Sequence, residues 1–174
     1  EEVINALKIL TASWGMAFGA SNITLSTIGI LPNILKLIQL RMCNIAISLH
    51  SPFAAQRHEM MPVEKDYPIE MVVGFFRQNL LKKPLRLSFE YIVIPGENDS
   101  VEHAAATAAL LKELSCHVNV IPLNTFKENS ENLLAAKKFQ RMLNDLNQPT
   151  TLRLSRGIDI DAACGMMAGK ELKK

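Results

Sequence analysis

Five short runs of β-branched and apolar residues alternate with helical patterns along this chain, and that alternation constrains the fold more than any other feature. Residues 23–30 read as a strand. Residues 44–50 read as a second, with Ile45, Ile47 and Leu49 on one face and Ala46, Ser48 and His50 on the other. Residues 85–94 form a third, with Ser88 and Glu90 sharing a face; residues 117–123 and 150–154 complete the set. Helical spacing fills the gaps. Val3, Ile4, Leu7 and Leu10 mark a helix over 1–11, and Pro32 opens another carrying Ile34, Leu35 and Ile38. Residues 69–81 and 130–146 are helical, as is an Ala-rich stretch ending near Leu114. Asp99 and Glu102 are spaced as a capping box for that stretch, and residues 51–68 read as a long polar loop. Strands that alternate with helices imply βαβ units and a parallel sheet.

The polar residues of interest fall late in these strands: Ser26, then Ser48 and His50, then Glu90, then Asn124. In a barrel-like α/β fold that is the end where chemistry is done. One shared site is thereby indicated, without a ligand. Serines so placed also bond to nearby backbone, and His50 is equally readable as a core or capping residue.

Net charge is +2, too small to announce a nucleic-acid binder. The local basic groups, Lys82, Lys83 and Arg86, then Lys137, Lys138 and Arg141, then Arg153 and Arg156, read singly as solvated faces. A hydrophobic content of 48% excludes a disordered chain. No apolar run is long enough to span a bilayer, so no membrane partner is expected. Cys43, Cys116 and Cys164 are far apart and match neither a disulfide framework nor a zinc pattern, which suits a reducing compartment. The chain begins inside a helical pattern and not with Met, as a fragment would.

The densest string is Ser155-Arg-Gly-Ile-Asp-Ile-Asp-Ala-Ala-Cys-Gly-Met-Met-Ala-Gly169. Ala162, Ala163 and Gly165 leave Cys164 sterically open, which suits a thiol that must approach reactants; an incidental cysteine in a tail is the plainer reading. The string resembles the cysteine-bearing segment of the RlmN family, radical S-adenosylmethionine (SAM) enzymes that methylate adenine C2 in RNA. It departs from the family pattern at Ser155, Ile158 and Met166-Met167. Four further motifs, in order, resemble that family: "NITLSTIGILP", "IAISLHSP", "FEYIVIPGENDSVEHA" and "VNVIPLNTF".

The resemblance implies an incomplete radical-SAM partial (β/α)6 barrel, with parallel strands, outer helices and a C-terminal extension. Residues 1–149 would be barrel core, and residues 150–174 a strand plus the methyl-carrier segment. It implies that Ser26, Ser48, Leu49, His50 and Asn124 hold SAM, although Thr125 stands where the family prefers Pro. Cys164 would carry the methyl group as S-methylcysteine. A 4Fe-4S cluster needs three closely spaced thiolates. This sequence lacks that spacing, so no metal ligand is expected here and the cluster loop, the Gly-Glu-Pro motif and an RNA-binding domain are expected upstream. The implied partners are 23S rRNA, with tRNA left open, and an electron donor to the cluster. The full-length protein would be a cytoplasmic monomer, with a plastid or other bacterial-derived organelle as the alternative location. The C8-methylating Cfr-type enzyme and a non-catalytic RNA-binding descendant remain alternatives. A generic α/β small-molecule domain is the reading that sets the resemblance aside.

Overall fold

In the computed structural model, which describes residues 1–124 and 130–154, strands and helices alternate as expected. The strands are β1 (Thr24–Thr27), β2 (Asn44–Ser48), β3 (Leu87–Val93), β4 (His117–Pro122) and β5 (Thr150–Leu152). The α-helices are α1 (Glu2–Thr11), α2 (Leu31–Leu40), α3 (Ala54–Met60), α4 (Ile69–Gln78), α5 (Val101–Leu111) and α6 (Ser130–Asp145). All strand pairings are parallel, and the sheet order is β1-β2-β3-β4-β5. Sequential order with no reversal is the geometry of a barrel arc; a doubly wound sheet would reverse. The boundary expected after residue 149 falls between α6 and β5, and β5 pairs with β4 in this same sheet.

Partners in a parallel ladder lie on one face, so the register sorts the side chains. Ile45, Ile47, Leu49, Leu87, Phe89, Tyr91, Val93, Val118 and Val120 share the apolar face. They pack against Ile34 and Leu37 of α2, Val72 and Phe76 of α4, Leu111 of α5, and Phe139 and Leu143 of α6. The Tyr91 and Phe139 rings meet at 4.6 Å, within the range of favourable aromatic contact. The opposite face is polar: Thr24, Asn44, Ser48, Ser88, Glu90, Asn119 and Thr151. One face buries the core against helices and the other lines a trough.

Three local expectations are corrected. Residues 51–68 are not a loop: they hold α3 and a short 3-10 turn, Pro62–Lys65. The buried residue of α3 is a charged one, Arg57, so the helix carries no apolar stripe to read. The N-cap of α5 is Ser100, whose Oγ accepts from the His103 backbone N–H at 3.3 Å; Asp99 instead accepts from Gly96 N–H at 2.9 Å. Glu90 lies mid-strand, since β3 runs on to Val93.

Gly29 ends β1. It has φ +109, and a Cβ there would stand 3.2 Å from Val72 Cγ2, so glycine permits both the turn and the close approach of α4.

Candidate functional site at the strand ends

The chain after β2 makes an unusual turn. Leu49 N–H still follows the ladder, donating to Glu90 O at 2.9 Å. In a regular parallel pair the next rung would run from Ile92 N–H to Leu49 O. Here His50 has φ 56, and Ser51 N–H bonds back to Leu49 O at 2.7 Å, closing a γ-turn. Ile92 N–H donates instead to His50 Nδ1 at 3.1 Å. An imidazole ring thus supplies the rung that the backbone has left.

That bond fixes the tautomer. Nδ1 accepts, so the ring proton of neutral His50 sits on Nε2 and can be donated. Burial, aided by the nearby Arg57 guanidinium, pulls the His50 pKa down to about 4. At neutral pH the residue is therefore an uncharged donor. Its Nε2 makes no hydrogen bond among the described residues, and neither do the Oγ atoms of Ser26 and Ser48.

Ser26, Ser48, Leu49, His50 and Asn124 lie at or near the C-terminal ends of β1, β2 and β4. Ser26 pairs in register with Ala46, two residues before Ser48 on the same face. Ser48 pairs with Glu90. Leu49 is fully buried in the core, and its N–H is taken by Glu90 O, so its side chain is structural. Asn124 follows β4 by two residues, beside the Leu123 carbonyl held by Asn132 Nδ2 at 2.7 Å. Cys164 lies outside the described residues. The other two cysteines are poor nucleophiles. Burial raises the Cys43 thiol pKa and pushes Cys116 up to about 11.

Sequence reasoning missed the supports of this edge. Arg57 is fully buried. It donates through Nε to Leu49 O at 3.2 Å, through Nη2 to Ser48 O at 2.9 Å and Ile28 O at 3.2 Å, and through Nη1 to Glu64. Glu64 in turn accepts from Ile69 N–H at the start of α4. Asn98, also fully buried, donates to His50 O and Ile92 O, both at 2.8 Å, and accepts from Ile94 N–H at 2.7 Å. Nothing in the local spacing marks them: between Arg57 and Glu64 the sequence runs mostly through apolar residues, Met60 to Val63.

Lower on the same polar face lies a trough of about 570 Å³, lined by Asn44, Ser88, Glu90, His117, Asn119, Thr151 and Arg153, among others. A chain of bonds crosses it. His117 Nε2 meets Thr151 Oγ1 at 2.8 Å, Thr151 donates to Asn119 Oδ1, and Asn119 Nδ2 donates to Glu90 Oε1 at 2.8 Å. Arg153 reaches Glu90 Oε2 at 3.2 Å. This network cross-links β3, β4 and the end of β5. Among the described residues no three His, Cys, Asp or Glu side chains are grouped to hold a metal. No described helix is long and apolar enough to cross a membrane.

The arc of parallel strands has a close structural counterpart. The crystal structure of a radical SAM methyltransferase from Sphaerobacter thermophilus matches with TM-score 0.85 and 37% identity, over 94% of this chain and 49% of that one. The fold is that of a radical SAM methyltransferase. No family model matches the chain. A probable dual-specificity RNA methyltransferase RlmN of Bacteroides fragilis is 40% identical over 171 residues, 97% of this chain and 50% of its own length. The dual-specificity RNA methyltransferase RlmN of Marinobacter nauticus is 37% identical over 175 residues, 98% of this chain and 47% of its own. Over almost all of its length the chain is thus similar to RlmN RNA methyltransferases. It spans about half the length of the curated relatives it matches.

Proposed function

We propose that the protein to which this chain belongs methylates adenine C2 in RNA, with 23S rRNA as substrate and tRNA as a second candidate, and that the strand ends described above hold SAM. The observation that carries the reading is the set of polar groups near the strand ends that have no partner among the described residues: Ser26 Oγ, Ser48 Oγ and the His50 Nε2–H. An adenosyl ligand is rich in hydrogen-bond acceptors, and a neutral imidazole does not repel its sulfonium charge. Asn124, at the end of the next strand but one, adds an amide. Leu49 contributes by fixing the turn. When bound, SAM supplies the methyl group and the radical chemistry that an unactivated C–H bond requires. A 4Fe-4S cluster and its electron donor belong to the same reading, with the thiolate ligands on other parts of the protein.

On this reading residues 1–149 form barrel core, and residues 150–174 add strand β5 to its sheet and bring the cysteine, as S-methylcysteine, to the substrate. The Cys164 thiol would give up its proton to solvent, and the thiolate would take a methyl group from SAM, whose sulfonium sulfur keeps the bonding pair and leaves as a neutral thioether. A target adenine in folded RNA has to leave its stack to be reached. The reaction takes place in the cytoplasm.

The test is a peptide-mass analysis of the full gene product purified from cells. One additional methyl on the peptide containing Cys164 is the expected result. An unmodified peptide, in protein shown to hold a cluster and exposed to SAM, would overturn the assignment in favour of a non-catalytic descendant.

A further inference from the structure

The turn at His50 is expensive. A non-glycine residue with positive φ is strained, and persists only when its surroundings over-determine it. Two buried side chains do so. Arg57 binds the carbonyls of Ile28, Ser48 and Leu49, and Asn98 binds the carbonyls of His50 and Ile92. Three consecutive carbonyls, 48 to 50, are thus all held by side chains that arrive from outside the sheet. Arg57 spans the ends of β1 and β2; Asn98 spans the ends of β2 and β3.

Stability alone gives little reason for such a device. A buried ion pair is often replaceable by apolar residues at no loss, so a fully buried Arg57–Glu64 pair argues for positional control. Its geometry is specific. The planar guanidinium serves three carbonyls and one carboxylate at fixed angles, which a lysine ammonium cannot reproduce. Glu64 anchors the guanidinium from the other side and is itself held at the N-terminus of α4, where a carboxylate is favoured.

We propose that Arg57 and Asn98 are positioning residues for the cofactor site: a buried two-sided clamp that holds the γ-turn and so presents the His50 Nε2–H and the Ser48 hydroxyl to a nucleoside sulfonium ligand. The proposal rests on the assignment of the strand ends to SAM. It adds residues that do not touch the ligand, and it predicts that loss of either weakens ligand binding without loss of the fold. The guanidinium also contributes to keeping His50 uncharged.

The test uses the full gene product with its cluster. SAM dissociation constants are measured for the unmodified protein, Arg57→Lys, Asn98→Ser and His50→Asn, alongside thermal unfolding and the KM for SAM and kcat of RNA methylation. Asn suits the positive φ and can place an acceptor near the site of Nδ1, so His50→Asn deletes chiefly the Nε2 donor. All three variants are expected to weaken SAM binding, Arg57→Lys by about tenfold, as befits one well-formed charge-assisted bond. KM for SAM should rise more than kcat falls. A merely structural role would lower the binding stoichiometry and kcat together and leave the dissociation constant of the folded fraction unchanged. That result in both Arg57→Lys and Asn98→Ser, with His50→Asn weakened, would overturn the clamp and spare the site. Unchanged affinity in His50→Asn and in Ser48→Ala would overturn the site and the clamp with it. Should Arg57→Lys fail to fold, Asn98→Ser decides by the same measure.

Discussion

Acid should destabilise this protein through His50 in a way one substitution can isolate. The folded-state pKa is about 4 against an ordinary value of 6.5. The unfolded chain therefore binds a proton that the folded one refuses, and between these values stability falls as pH falls. The contribution is fully present above about pH 6.5. Linkage with these two values predicts a loss of about 2 kcal/mol at pH 5 relative to pH 7.5. The perturbation is His50→Asn, which keeps an acceptor for Ile92 N–H and removes the titration. Urea unfolding at both pH values gives the two losses, and subtraction cancels every other titrating group. The unmodified protein should lose about 2 kcal/mol more than the variant. Equal losses would refute the reasoning and mean that His50 titrates as it would in water.

Other substitutions probe the scaffold by thermal or urea unfolding. Ser100→Ala removes the α5 cap and should cost about 1 kcal/mol, while Asp99→Ala leaves that cap in place. Gly29→Ala meets positive φ and Val72 together, and should cost about 1–3 kcal/mol, seen as a lowered urea midpoint. Phe139→Ala empties a fully buried site against Tyr91 and should cost about 3–5 kcal/mol.

The sheet was legible because its apolar face is periodic. Ile45, Ile47 and Leu49 alternate cleanly, and β2 pairs where that pattern puts it. Strand ends were less legible. Residues 23–30 read as one strand, but Gly29 turns the chain and β1 stops at Thr27. Helix α3 was invisible because it packs through Arg57, and a hydrophobic pattern cannot report a helix whose buried side chain is ionic. Glu90 read as a strand-end residue; mid-strand, it is instead the hub that Asn119 and Arg153 bind across β4 and β5. The candidate site was readable only in part. Ser26, Ser48 and His50 stood out as polar residues at strand ends, but their partners Arg57 and Asn98 lie 7 and 48 residues from His50, and such tertiary bonds leave no local spacing to read.

The imidazole rung between β2 and β3 makes His50 a two-ended wire. Drawing the Nε2 proton toward an acceptor enriches the electron density at Nδ1 and strengthens the bond that Ile92 N–H donates to it. Occupancy of the strand-end site would then be written into the backbone amide of one residue. Deuterium uptake at Ile92 should slow when the ligand binds and quicken in its absence, so a single exchangeable proton can serve as a gauge of whether the site is filled.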